Sequence, residues 1–188
     1  RALAIAGLEP SIEERVRLAA AGLEYRLGDV ERARAHYEAA RLLSVDARPK
    51  ILAHAMHGLG AVAYRTGRVD EAEKYFTQAA AIWTDQGDDR NLLHVTNNLA
   101  AIAAAQGRLA QAGARFASVA ELAARAGDRR ILASALMNSG LVRWREDAPE
   151  VARDCFQRSL EIFRGLNDEW GEANVCNSLA VLASDEGQ

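Results

Sequence analysis

Cysteine is scarce in this chain: Cys155 and Cys176 are the only two in 188 residues. That is too few for a disulfide framework, and their spacing is not that of a zinc site. Free thiols in a reducing compartment are the expectation. Long apolar runs are missing as well. Nothing approaches the roughly 18 consecutive apolar residues of a membrane span, and the opening RALAIAGLEP is too short for a secretory signal. A cytoplasmic location without membrane attachment follows as the expectation. A basic excess is absent too. The formal charge of −3 and pI near 5.9 disfavour a surface that collects phosphates, so nucleic acid is not expected as a partner. Lysine is limited to Lys50 and Lys74 among 23 basic residues, which together with abundant alanine suggests a GC-rich bacterial genome.

Catalytic signatures are equally lacking. The chain contains no glycine-rich phosphate loop, no nucleophile elbow and no HExxH. No enzyme and no cofactor is expected. His54 and His57 stand three apart and His94 lies forty after His54, but no carboxylate or cysteine joins them in register. Neighbouring acids such as Asp70 and Glu71 point in different directions on a helix and read as solvated face.

What is present is a repeat. GDVERA begins at Gly28, GRVDEA at Gly67, GRLAQA at Gly107 and a degenerate DAPEVA at Asp147, at spacings of 39, 40 and 40. Each hexad separates two segments with apolar residues at helical spacing, such as Leu92, Val95, Leu99 and Ile102 before Gly107 and Leu109, Phe116, Val119 and Leu122 after it. Each repeat therefore reads as a helix pair. Gly28, Gly67 and Gly107 sit where a first helix ends in a left-handed residue. Half a period away, Gly87, Gly127 and Asn167 end the second helices, and Asp88, Asp128 and Asp168 follow as caps for the next. Pro49 and Pro149 suit first turns.

Small residues recur where helices must cross closely: Ala21, Gly60, Ala100, Gly140 and Ala180 on first helices, Ala33, Ala72, Ala112 and Ala152 on second helices. Four residues after each of the latter stands a ring, Tyr37, Phe76, Phe116 and Phe156, suited to fill the wedge between neighbouring pairs.

The pattern of Gly60, Ala72, Phe76 and Ala79 resembles the tetratricopeptide repeat. Ala33, Tyr37 and Ala40 match its second-helix part, whereas Val119 and Ser159 loosen the last position. The period of about forty departs from the usual 34 and resembles the repeats of kinesin light chains and of bacterial signalling and transcriptional regulators. The resemblance implies an all-α, right-handed superhelix of about four helix pairs plus one further helix, with first helices lining a concave face. It spans residues 1–188 as a single domain, with repeats at about 11–47, 48–87, 88–127 and 128–167, a partial repeat at 168–188, and residues 1–7 as the tail of a preceding one. Both ends read as cut within a repeat, as in a fragment of a longer solenoid. Leu3, Ile5, Leu179 and Leu182 are then expected to be exposed and to favour homo-oligomers through the repeat ends.

The first-helix positions that face the groove in this family are Arg15, His54, His94, Ser134 and Asn174 in one row and Leu18, His57, Asn97, Met137 and Asn177 in the next. Beside them lie Asn98 and Asn138, and one turn on come Tyr25, Tyr64 and Trp144, flanked by Arg26, Arg65 and Arg145. Asparagine is a mediocre helix former, so its recurrence here asks for a reason. An amide both donates and accepts, and a row of them suits the backbone of an extended peptide. The alternative is that the amides bond neighbouring helices. Rim arginines suit acidic side chains, and the aromatics suit anchor pockets. Leu18 and Gly22 stand where chaperone-binding members carry Lys and Asn, which disfavours a chaperone tail. The expected role is non-catalytic: a protein or peptide interaction and sensor module within a bacterial regulator, whose ligand segment can belong to its own chain. The alternatives are a stand-alone adaptor and, behind it, an accessory domain for a small inducer or a metal.

Overall fold

The computed structural model describes residues 9–44 and 48–187, and every regular element among them is helical. The nine helices run α1 (Pro10–Leu27), α2 (Val30–Leu43), α3 (Pro49–Arg65), α4 (Val69–Asp85), α5 (Asp89–Ala105), α6 (Leu109–Ala126), α7 (Arg129–Arg145), α8 (Pro149–Gly165) and α9 (Glu169–Glu186). Odd-numbered helices are the first and even-numbered the second members of the pairs. The architecture is all-α, a succession of helix pairs at the period of about forty residues. Gly7, Leu3 and Ile5 lie outside the described residues.

The punctuation that breaks the chain into helices is where the period puts it. Left-handed backbone occurs at Gly28, Gly67, Gly87, Gly107 and Gly127, and at the two positions where the repeat substitutes another residue, Asp147 (φ 60°) and Asn167 (φ 52°). Asp147 carries the strain that glycine avoids at the same place in the other repeats. The side chains of Asp128 and Asp168 accept from the amides of Ile131 and Gly171, and Asp88 accepts from that of Asn91. Asp29 caps α2 in the same way, through the amide of Arg32, a cap the punctuation did not single out.

The chain divides into two compact units, one up to Val95 and one from Thr96 onward, with the division inside α5. In the first unit α1 packs on α2, α2 on α3, α3 on α4, and the first helices α1 and α3 also meet. Phe76 is buried beside Gly60, where an added Cβ would come within 2.7 Å of the ring. The notch is cut to the ring. Glu14, 1% exposed, is held by Arg48 at 2.5 Å, so a buried carboxylate on α1 is neutralised from the start of α3.

In the second unit α6 packs on α7, α7 on α8 and α8 on α9, and α7 meets α9. Phe156 fills the notch at Gly140 as Phe76 does at Gly60, and Phe163 closes on Gly171, where a Cβ would lie 2.4 Å from the ring. Ser159, the departure from a small residue at a core position, is fully buried and donates its hydroxyl to the carbonyl of Ala133 at 2.7 Å. Its polarity is satisfied across helices.

The expected exposure at the C-terminal end needs correction. Leu182 is completely buried and Leu179 packs against the same cluster as Phe156, because both lie on the face of α9 turned to α7 and α8. The exposed large hydrophobic residues of α9 are Trp170 and Val181 instead.

The exposed face of the first helices as candidate functional site

The residues singled out from the sequence sort by unit. In the first unit Arg15, Arg26, His54, Tyr64, Arg65 and His94 are exposed, and Tyr25 and His57 are partly buried. The second unit carries the amides: Asn97, Asn98, Asn138 and Asn174 are partly buried and Asn177 is exposed. Its Trp144 and Arg145 stand at the end of α7.

Two clusters form in the first unit. At the C-terminal ends of α1 and α3, the Nη1 of Arg65 donates to the carbonyl of Tyr25 at 2.7 Å, and its guanidinium lies over the Tyr25 ring, 5.1 Å from the centroid. Carbonyls at a helix end have no partner within the helix, so a guanidinium from the next repeat supplies a donor and a favourable charge. Arg145 does the same in the second unit, donating to the carbonyl of Ala104 at 2.9 Å. Each arginine thus spends one donor on scaffold. A third arginine, Arg115, donates to the carbonyl of Leu99 at 3.0 Å.

The second cluster is made of histidines. The ring of His54 meets Trp83 edge-on at 4.8 Å, and that of His57 meets Phe76 at 5.5 Å. Burial, with smaller contributions from His94 and His54, pushes His57 down to about 4. Burial also lowers His54, against an opposing pull from Asp88. The pair therefore works as neutral, mostly apolar packing at neutral pH. No group of three or more His, Cys, Asp or Glu able to hold a metal ion occurs among the described residues.

The amides differ among themselves. Asn174 donates to the carbonyl of Trp170 within its own helix, at 2.8 Å. Asn98 is engaged within the protein. The amides of Asn97, Asn138 and Asn177 have no hydrogen-bond partner among the described residues, and none of them is a buried unsatisfied group. They are open to solvent and unspent. Trp144, partly buried, packs against the cluster around Phe156 and Val175.

Sequence reasoning missed Tyr37 as anything but a wedge. Its ring is only half-buried and leans onto Gly58 of α3, where a Cβ would lie 2.2 Å away. The available signal was the phenol itself, the one hydroxylated ring among four equivalents.

The tetratricopeptide repeat model matches residues 14–85, 51–100 and 91–165. The chain belongs to the tetratricopeptide repeat family. No curated protein sequence matches it. Among solved structures it is similar to a putative kinesin light chain from Podosopora anserina with nearly identical tetratricopeptide-like repeats, at 18% identity over 96% of this chain and 89% of that one, with a TM-score of 0.77. It is also similar to a signal-transduction ATPase of the STAND class with a tetratricopeptide repeat sensor, from Pyrococcus horikoshii, at 12% identity over 90% and 27% of the two chains and a TM-score of 0.81. A third likeness is to the Rap conjugation gene regulator of the plasmid pLS20, in complex with the Phr* peptide, at 17% identity over 93% and 52% and a TM-score of 0.65. The chain spans about half of that regulator and about a quarter of the STAND protein. At these identities the likeness is one of fold.

Proposed function

We propose that the chain is a non-catalytic interaction and sensor module that holds an extended peptide or protein segment on the exposed face of its first helices, as part of a bacterial regulatory protein. The observation that carries this reading is the set of unspent amides, Asn97, Asn138 and Asn177. Scaffold asparagines would bond neighbouring helices. These do not, and a free amide offers both a donor and an acceptor to a peptide backbone of any sequence. The Rap regulator with its peptide and the ATPase with its repeat sensor support a regulatory setting for this fold. The runner-up is an adaptor that joins two proteins. An upstream nucleotide-binding or helix-turn-helix segment in the full-length gene product would favour the regulator, and further repeats alone the adaptor.

The test is Asn97→Ala combined with Asn138→Ala. Octapeptides selected from a random display library on the unaltered chain are titrated against both proteins by fluorescence anisotropy. The double variant is expected to lose about 1 to 3 kcal/mol of affinity with an unchanged melting temperature. A lower melting temperature with normal peptide binding, or no peptide selected at all, would discard the reading.

A further inference from the structure

We propose that the C-terminal part of α1, with the α2 ring that leans onto it, forms a recognition notch for a carboxylate, an Asp or Glu side chain of a peptide on the first unit, with Arg26 and the Tyr37 hydroxyl as its donors. The inference rests on the peptide-binding reading and names the chemistry that the first unit selects.

The notch is built from two missing side chains. Gly58 on α3 leaves room for the Tyr37 ring, which could not lie where it does beside any larger residue. The ring's lean carries its hydroxyl to Gly22 on α1, where the absence of a side chain keeps the space open. The hydroxyl and the Nη1 of Arg26 each lie 3.9 Å from the point a Cβ on Gly22 would occupy. A phenol O–H and a guanidinium therefore converge on one small opening. At the end of α3, Arg65 has one nitrogen committed to the Tyr25 carbonyl and stands over the Tyr25 ring, which adds a second exposed positive charge at the C-terminal end of α1. The other repeats lack this combination. They carry Phe76, Phe116 and Phe156 for Tyr37, Ala61, Ala101 and Leu141 for Gly22, and Asn98, Asn138 and Ser178 for Gly58.

Charge decides the ligand. The three carboxylates of α1 are all engaged by other arginines: Glu13 by Arg17, Glu14 by Arg48 and Glu24 by Arg32. Arg15 and Arg26 pair with no carboxylate among the described residues, nor does Arg65, and all three are exposed. The groove positions of α1 and α3 include no acidic residue to neutralise them. A planar carboxylate fits a guanidinium fork with two parallel hydrogen bonds, and a phenol adds a third. At so exposed a place the interaction should select among partners and respond to salt more than supply bulk affinity.

The experiment pans a random octapeptide library on the unaltered chain, on Arg26→Ala and on Tyr37→Phe, with circular dichroism to establish that each is folded. Enrichment of Asp or Glu at one position is expected with the unaltered chain and is expected to fade with either variant, while the rest of the selected pattern persists. For a selected peptide, exchanging the acid for its amide should weaken binding about five- to tenfold at low salt, with the difference shrinking toward molar salt. Selected peptides without an acidic preference, or with one indifferent to both variants, overturn the notch and leave peptide binding standing. A phosphoserine exchange that binds more than about tenfold tighter than the acid, a full further kcal/mol or more, overturns the assignment to a carboxylate in favour of a phosphopeptide. Failure to select any peptide removes both readings together.

Discussion

The two compact units are built by one repeat and yet are chemically unlike. All four histidines lie in the first, together with the tyrosine wedge, while the unspent amides and both cysteines lie in the second. The second unit's wedge is Phe156, fully buried over Gly140; the first unit's outermost wedge is Tyr37, half-buried and leaning across to Gly58. The repeat demands a ring and a small residue facing it. What sets Tyr37 apart is a second gap on the following first helix, Gly58, where the later repeats carry Asn98, Asn138 and Ser178, so its ring leans onto the next pair.

Emptying the wedges should expose that contrast most strongly. Phe156→Ala is expected to cost about 3 to 5 kcal/mol, and Tyr37→Ala roughly 1 to 2 kcal/mol because less of its ring is removed from water. Denaturant titrations followed at Trp83 for the first unit and at Trp144 and Trp170 for the second measure the two separately. Equal losses would mean that Tyr37 is a wedge like the others.

Acid should separate the units next. His57 has its folded value lowered to about 4 from the ordinary 6.5, so the unfolded chain binds the proton more tightly than the folded one. Stability then rises with pH: the contribution is complete above about 6.5 and is lost as the pH falls toward 4. The loss is on the order of 3 kcal/mol and belongs to the first unit alone, since the second has no histidine. Trp83 emission should report unfolding at a higher pH than Trp144 and Trp170, and His57→Gln should flatten the first unit's profile. A profile unchanged by that substitution would mean the imidazole is solvated.

The arginine staples offer the smallest contrast. Arg145→Ala should cost about 0.5 to 1.5 kcal/mol through its hydrogen bond to Ala104, and Arg65→Ala slightly more, since it also forfeits about 0.5 to 1 kcal/mol of stacking on Tyr25. Thermal melts of the two variants side by side read the difference. Identical shifts would leave the ring contact without energetic weight.

Much of this was legible in the chain before any coordinates. Glycine, Asn167 and Asp147 mark left-handed turns because side chains rarely tolerate that backbone, and the aromatics four residues after Ala72 and Ala152 mark wedges because a helix places them on the face of the alanine. The candidate positions were legible, and the contacts that occupy some of them were not. Arg65 and Arg145 read as rim charges for a ligand, yet each gives a donor to a carbonyl about forty residues earlier. Trp144 read as an anchor and lies partly buried against the cluster around Phe156. Leu182 read as an exposed end and is buried.

The amino-acid sequence by itself determined the repeat length, the nine helices of the described residues, most of their end signals and the residues that must be small or aromatic. These are local decisions, made within one or two turns by steric limits on the backbone and by helical periodicity. Which polar groups remain for a ligand was decided only by the tertiary structure. Asn174 is spent within its own helix, but Arg65 and Arg145 are spent because a carbonyl of another helix comes within about 3 Å of them. For those groups proximity is set by how the pairs stack, as with Arg65 on Tyr25 and Tyr37 on Gly58.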